Sequence, residues 1–586
     1  MFDPFYVGQR EVVRPYRPIE PRPDTGKPTP QRPGDRAAFA GPGNQRSFVP
    51  EVLILLLVLG VNPPITAQVP VPASERVDED RSVEKQWDAA RAARSRIRQG
   101  VDPLAEVLEL LEDRSGTVRD EVFEEIVEKW SAEQRRKLRN GFSTKSTAGS
   151  GFIDEILAEI FFRCPDPTMA PELISVALGS DVAEAREMAL GALGQLAPEV
   201  LEEKALIAIE KMAKRERNWW IRGEALRCLA HHDAERATPL LKLAMREKKL
   251  PALRIAALQG YALVDPELGC EIAFEAICKP WKDRQGIWGE RIVRAALAIL
   301  ADHLAVFPRL KQAQFISALI EASESLEGAT RERMWSTLAI ITGETGVAPR
   351  FDAWDSWWQS RRESWLDKKP LDEGAGSSGD PSSGDDSQSK GKTRVVQYHG
   401  VPLDSKRLVF LADVSGGMSR TVDGQFDGEG ARRIDVSRAE LLRVLGELPP
   451  DALVQVVHFG SRSHPALPRV QPLARSLRGL TEKIRQQKVP SGRGAARGNL
   501  YGPLRRAVLE PGTDTVMLLT EGAPTEGKVQ NGDRLRWHIR RWNRWGQARI
   551  HVLSVGRIRG DNRAFLEGLA ADGGGLFHDV DGTFGK

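Results

Sequence analysis

Cysteine is nearly missing from this chain. Four residues in 586, at positions 164, 228, 270 and 278, form no Cys-x-x-Cys pair. So sparse a set cannot build a disulfide framework or a paired-thiol metal or redox site. The thiols read as small buried apolar side chains on helices, with one bridge, Cys270 to Cys278, left open if the protein is exported. Histidine is scarce too, nine residues without ligand spacing. His231-His232-Asp233 is the one adjacent group, and it reads as the last turn of a helix rather than a metal site. The chain contains no His-Glu-x-x-His, no Gly-x-Ser-x-Gly and no Gly-x-x-x-x-Gly-Lys-Ser/Thr, so nothing supports a metalloprotease, a hydrolase or a phosphate loop. Net charge is only +3, from 84 basic and 81 acidic residues. That gives no global case for nucleic acid or an acidic partner. No apolar run reaches the ~20 residues that span a bilayer.

The longest such run, Val52–Val61, has the length of a signal-peptide core. Arg46 precedes it, and Ile65-Thr66-Ala67 ahead of Gln68 has the form of a cleavage site. Export to the periplasm, cell envelope or outside is therefore expected, with an uncleaved anchor as the alternative. Residues 1–50, rich in Pro and Arg, lack apolar periodicity and read as disordered; residues 51–67 are the signal segment and 68–80 an extended linker.

From 81 to 365 the pattern is helical. A unit recurs: an Arg near a helix start, then small and apolar residues at helical spacing. Examples are Val118-Arg119, Ala185–Leu190, Ile221–Leu226, Leu253–Leu258 and, more weakly, Val293–Leu297 and Arg331–Trp335. The interval, about 30 to 40 residues, is that of stacked helix pairs, which bury a shared core that no single pair can. The segment resembles HEAT or armadillo repeats. Trp354, Trp358 and Trp365 fall on one helical face and read as a closing helix. Residues 366–393, polar and rich in Gly, Ser and Asp, read as a flexible linker between independently folding halves.

Residues 394–586 alternate strands (395–399, 407–413, 452–459, 514–520, 549–555) with helices (433–447, 473–487, 500–510, 532–545, 561–571). Such alternation predicts a doubly wound, Rossmann-like α/β sheet with its site beyond the carboxyl ends of the strands. The stretch Asp533–Trp545 interleaves Arg and Trp. Its Leu535, Ile539 and Trp542 face the sheet, and its arginines read as a solvated outer face or an anionic-partner patch rather than a nucleic-acid surface.

Five strings run in order through this segment: Leu408–Asp413 with Val414-Ser415-Gly416-Gly417-Met418, Asn499–Leu504, Val516–Thr525, Ile550–Gly556 and Leu569–Gly574. Together they resemble the von Willebrand factor type A (VWA) domain. The resemblance implies a divalent-cation site, usually Asp-x-Ser-x-Ser, a Thr and an Asp on three loops. Here Asp413 and Ser415 stand in place. Gly417 and Gly498 stand where hydroxyls are usual, and Glu521 replaces the Asp. The metal set implied is therefore Asp413, Ser415 and Glu521, degenerate, with at most weak Mg²⁺ binding and no catalytic residue. The expected function is a non-catalytic protein-binding scaffold of the cell envelope. The alternative is a cation-dependent adhesion receptor. Partners are expected to be proteins, with membrane contact only through an uncleaved N-terminal segment.

Overall fold

The computed structural model describes residues 83–98, 104–113, 115–142, 151–282, 287–367, 395–424, 430–489, 497–556 and 558–580. The readings made for 1–50, 51–67 and 68–80, and for the linker beyond Asp367, lie outside these residues. No helix of the described residues is long and apolar enough to cross a membrane.

Among the described residues, sixteen α-helices precede the first strand. They form two layers. Gly116–Lys129, Gly151–Arg163, Ala183–Leu193, Trp219–His232, Ala252–Val264, Ile287–His303 and Gly328–Thr342 pack one on the next, and the intervening helices cover them from the other side. Every recurrent sequence unit falls on the first layer. Its arginine has a repeated task. Arg186 Nε donates to Ala177 O at 2.9 Å, Arg222 Nε to Ala213 O at 2.9 Å and Arg254 Nε to Glu247 O at 2.8 Å. Each reaches the carboxyl end of the preceding outer helix, or for Arg254 the turn just past it, where carbonyls lack partners and the helix dipole favours a cation. Arg119 does the same at Asp113 O. His231 and His232 close their helix by bonding Leu196 O and Leu193 O, each at 2.8 Å. The Phe351–Asp367 helix buries Trp354, Trp358 and Trp365, and Trp358 Nε1 donates to Ser317 Oγ at 2.8 Å.

All four thiols are free; Cys278 is exposed while Cys228 and Cys270 are buried. The bridge left open between Cys270 and Cys278 is ruled out by geometry. Both lie on the Pro266–Cys278 helix, eight residues and hence about 12 Å apart along its axis, too far for a disulfide.

Among its described residues the C-terminal unit has nine strands: β1 Gln397–Tyr398, β2 Val401–Pro402, β3 Arg407–Asp413, β4 Leu453–Phe459, β5 Ser463–Pro465, β6 Gln471–Pro472, β7 Thr515–Thr520, β8 Arg549–Val555 and β9 Gly574–Val580. β1 and β2 form a separate hairpin. The main sheet has the order β5-β4-β3-β7-β8-β9, with β6 also on β4; β4, β3, β7, β8 and β9 run parallel. Alternation along β3 sends Leu408 and Phe410 into one apolar layer, under Arg433–Glu447 and Leu473–Gln486. It sends Val409 and Leu411 into the other, under Tyr501–Leu509, Gly532–Gly546 and Asp561–Asp572.

The two halves are not separate bodies. Helix Gly532–Gly546 lies between the sheet and the helical array, and Trp545 belongs to the array's own apolar core. Gly223 makes room for it: a Cβ there would lie 2.9 Å from the indole. Of the arginines read as a solvated face, Arg534 and Arg541 are buried and Arg544 half-buried, all three on acidic partners. Arg534 bonds Asp120 at 2.7 Å and Glu159 at 2.7 and 3.0 Å, Arg541 bonds Glu187 at 3.0 Å, and Arg544 pairs with Glu224. Flanking contacts extend the seam. Arg505 meets Glu184 at 2.6 Å, Lys528 pairs with Glu155, and Arg291 donates to Glu510 O at 2.7 Å and Thr513 O at 3.1 Å. Sequence proximity did not reveal the partners of the C-terminal cations, because their acids lie hundreds of residues upstream.

Candidate functional site

β3 sits between β4 and β7, and the chain leaves β3 and β7 toward opposite sides of the sheet. That is the topological switch point of a doubly wound fold, where the carboxyl ends of strands open a crevice. Asp413 ends β3 and Glu521 follows β7, so the structure brings together the three residues singled out from sequence.

Asp413 is buried. Its Oδ1 accepts from the Ser415 backbone N at 2.7 Å; its Oδ2 accepts from Thr520 Oγ1 at 2.9 Å and from the Glu521 backbone N at 3.4 Å. Burial raises its carboxyl, the Glu521 carboxylate adds to the rise, and the bonds from Ser415 and Thr520 oppose it. The result is about 6. Ser415 Oγ donates to Glu521 Oε1 at 3.1 Å. The other oxygen, Glu521 Oε2, accepts from Arg433 Nη1 at 2.9 Å. Arg433 opens the Arg433–Glu447 helix, and sequence reading missed it: an Arg at a helix start carries no sign that it will face a loop 88 residues away.

The two glycines that break the usual motif behave differently. A Cβ on Gly417 would lie 1.8 Å from both Glu521 carboxylate oxygens, so the missing side chain and the longer acid occupy one space. Around Gly498 nothing lies within 4 Å of where a Cβ would stand. Its backbone is held instead, its N donating to Thr525 Oγ1 at 3.0 Å and its O accepting from Thr525 N at 2.9 Å. Of the other nearby polar residues, Ser419 bonds Gly416 O and Asn499 Oδ1 accepts from Tyr501 N.

The donor set does not fit a divalent ion. Mg²⁺ takes six oxygens at about 2.0–2.1 Å. Here both Asp413 oxygens accept protein hydrogen bonds, the Ser415 hydroxyl is spent on Glu521, and Glu521 carries a guanidinium. No group of three His, Cys, Asp or Glu able to hold a metal occurs among the described residues. The array reaches this mouth through the loop after β7. Arg119 Nη2 donates to Gly527 O at 3.0 Å and Lys528 O at 3.1 Å, and Thr117 Oγ1 to Gln530 Oε1 at 2.6 Å. Asp120 accepts from Gln530 N at 2.5 Å and Asn531 N at 2.6 Å.

The family model for the von Willebrand factor type A domain matches residues 406–579. None of the curated proteins matches the chain. Among solved structures, an aspartate-to-alanine mutant of the PilB minor pilin from Streptococcus sanguinis is similar over 30% of this chain and 57% of its own length, at 12% identity and a TM-score of 0.24. So slight a likeness carries no argument. The C-terminal unit is thus a VWA domain, a class of domain generally involved in protein interaction and adhesion, joined to an all-helical N-terminal region.

Proposed function

We propose that this chain is a non-catalytic, exported protein-binding scaffold in which a HEAT-like array (81–365) and the VWA domain (394–586) work as one docked unit. The observation that carries this is the buried seam along Gly532–Gly546. A hinge between two recognition modules would not bury that many charges, because each must find a partner or be strongly destabilising. Stacked helix pairs leave long outer faces for partners, and the docked domain sets the mouth beside them. The seam also consumes the Arg–Trp stretch that could otherwise have met nucleic acid. Ser415 donates to Glu521, whose other oxygen is held by Arg433; a carboxylate tied to a guanidinium is a poor proton acceptor, which supports a non-catalytic mouth. Export rests on the Val52–Val61 run and the Ala67/Gln68 junction.

The test uses the purified full chain. The expected result is stable binding of an envelope protein, reproduced with two pure components, and no turnover of ester, peptide or phosphate substrates. Hydrolysis abolished by Ser415→Ala would overturn it. The second reading, cation-dependent adhesion through Asp413, Ser415 and Glu521, keeps one observation in its favour: their oxygens do converge at the mouth. Partner binding lost on chelation and restored by Mg²⁺ would favour that reading.

A further inference from the structure

The position opposite Asp413 and Ser415 is filled by a side chain. Arg433 is buried, donates to Glu521 Oε2, and lies over Gly556, whose backbone sits at φ +93°. A Cβ on Gly556 would come within 2.4 Å of the guanidinium. Gly556 thus clears the seat for Arg433 as Gly417 clears the seat for Glu521. An Asp at 521, one methylene shorter, would draw the carboxylate back from Gly417 and from the arginine. The two departures Gly417 and Glu521, together with the Arg433 contact, therefore describe one local packing solution.

We infer that Arg433 is the resident cation of this mouth: its guanidinium, carried by Glu521 and admitted by Gly417 and Gly556, does the charge-compensating work that a divalent ion does in the domains this one resembles. The inference rests on the VWA reading of the domain and not on the identity of any partner. A fixed guanidinium has five donors and no open coordination position, so it offsets the Glu521 charge without offering a partner a metal bond. Contacts made at this mouth are then insensitive to chelators. Gly417→Ser and Glu521→Asp are coupled, since the first alone drives a side chain into the Glu521 carboxylate.

Mn²⁺ alone is the probe, followed by loss of its free-ion electron paramagnetic resonance signal and by thermal shift, on the full chain. Wild type is expected to leave the free-ion signal intact at millimolar Mn²⁺ and to melt within about 1 °C of its metal-free value, as stabilisation follows RT ln(1 + [L]/Kd). Gly417→Ser with Glu521→Asp should bind little while Arg433 remains. Adding Arg433→Ala should tighten Mn²⁺ binding at least ~10-fold over that double variant, a gain of about 1.4 kcal/mol. Arg433→Lys, which keeps the charge, should stay metal-insensitive and guards against a misfolded alanine variant. Micromolar Mn²⁺ binding by wild type, or equal Mn²⁺ affinity with and without Arg433, overturns the inference. Both outcomes differ from failure of the scaffold reading, which shows as substrate turnover.

Discussion

Replacing Arg534 by Met should separate the two halves of the molecule energetically. The side chain is 3% exposed and joins Asp120 and Glu159, themselves 4% and 1% exposed. Its guanidinium also lies 3.8 Å from the Phe123 ring centroid. Methionine keeps most of the volume and removes the cation. Removing one member of a buried ion pair costs about 3–5 kcal/mol, and here two carboxylates lose their partner, so the upper end is expected. The acid side gives a signature that simple packing loss would not. Burial pushes the Glu159 carboxyl up, but Arg534 and then His538 outweigh it and hold it well below the usual range. In wild type that depressed group stabilises the fold above its unfolded pKa, and the contribution is lost as pH falls through the folded value. Without Arg534, burial prevails, the carboxyl rises, and acidification from about pH 7.5 to 5.5 should recover stability. Urea unfolding of the full chain followed by Trp fluorescence suits the question, because Trp537, Trp542 and Trp545 all lie on this helix. Adding Asp120→Asn and Glu159→Gln should restore most of the loss. A penalty under ~1 kcal/mol, with unchanged pH slope, would refute the claim that these charges hold the seam.

Proteolysis within 368–394 should yield two fragments that still co-elute on size exclusion; separation into two monomers would contradict the docked arrangement. For Asp413, raised to about 6 by burial and Glu521, the stabilising contribution is present below its unfolded pKa and lost as pH rises through about 6. Wild type should therefore gain stability relative to Asp413→Asn between pH 7 and 4.5, measured as a difference in melting temperature at each pH. Among the thiols, Cys278 should alkylate in native buffer while Cys228 and Cys270 react only after denaturation, as mass spectrometry of labelled peptides would record.

Strand and helix positions in the C-terminal half were largely legible, because a parallel sheet buried on both faces requires unbroken apolar runs such as Val409–Ala412 and Val516–Leu519. β9 was missed for the complementary reason. It is an edge strand, Gly574-Gly575-Leu576-Phe577-His578-Asp579-Val580, exposed along most of its length and poor in β formers. The seam was misread because exposure of an arginine is inferred from its neighbours in sequence, whereas Glu159 lies 375 residues from Arg534. A signal did exist on the other side. Asp154, Glu155 and Glu159 interrupt the otherwise apolar helix Gly151–Arg163, and all three are buried. Charges inside an apolar run announce a distant partner. The candidate site divides likewise. Asp413, Ser415 and Glu521 were readable from motif spacing, while Arg433 became visible only when the fold brought a helix start to the mouth.

Asp120 binds the two backbone amides just ahead of helix Gly532–Gly546, as well as Arg534, and so fixes the entry to a helix that Asn531 caps. Its timing during synthesis is peculiar. Asp120 leaves the ribosome 414 residues before Arg534, which at about 5–20 residues per second is roughly 20–80 s. Once Glu224 has followed, the array carries a row of acids, Asp120, Glu155, Glu159, Glu187 and Glu224, whose cations in the C-terminal domain are not yet made; of the array's own cations, Arg163 and Arg227 stand beside two of them. Until the C-terminal cations arrive, water is the main partner for that row, since a buried unpaired charge is strongly destabilising. The helical half therefore waits as an acidic receptor for its own C-terminal domain, and a nascent or truncated chain that ends before the VWA domain exposes a surface which any basic segment nearby could occupy first.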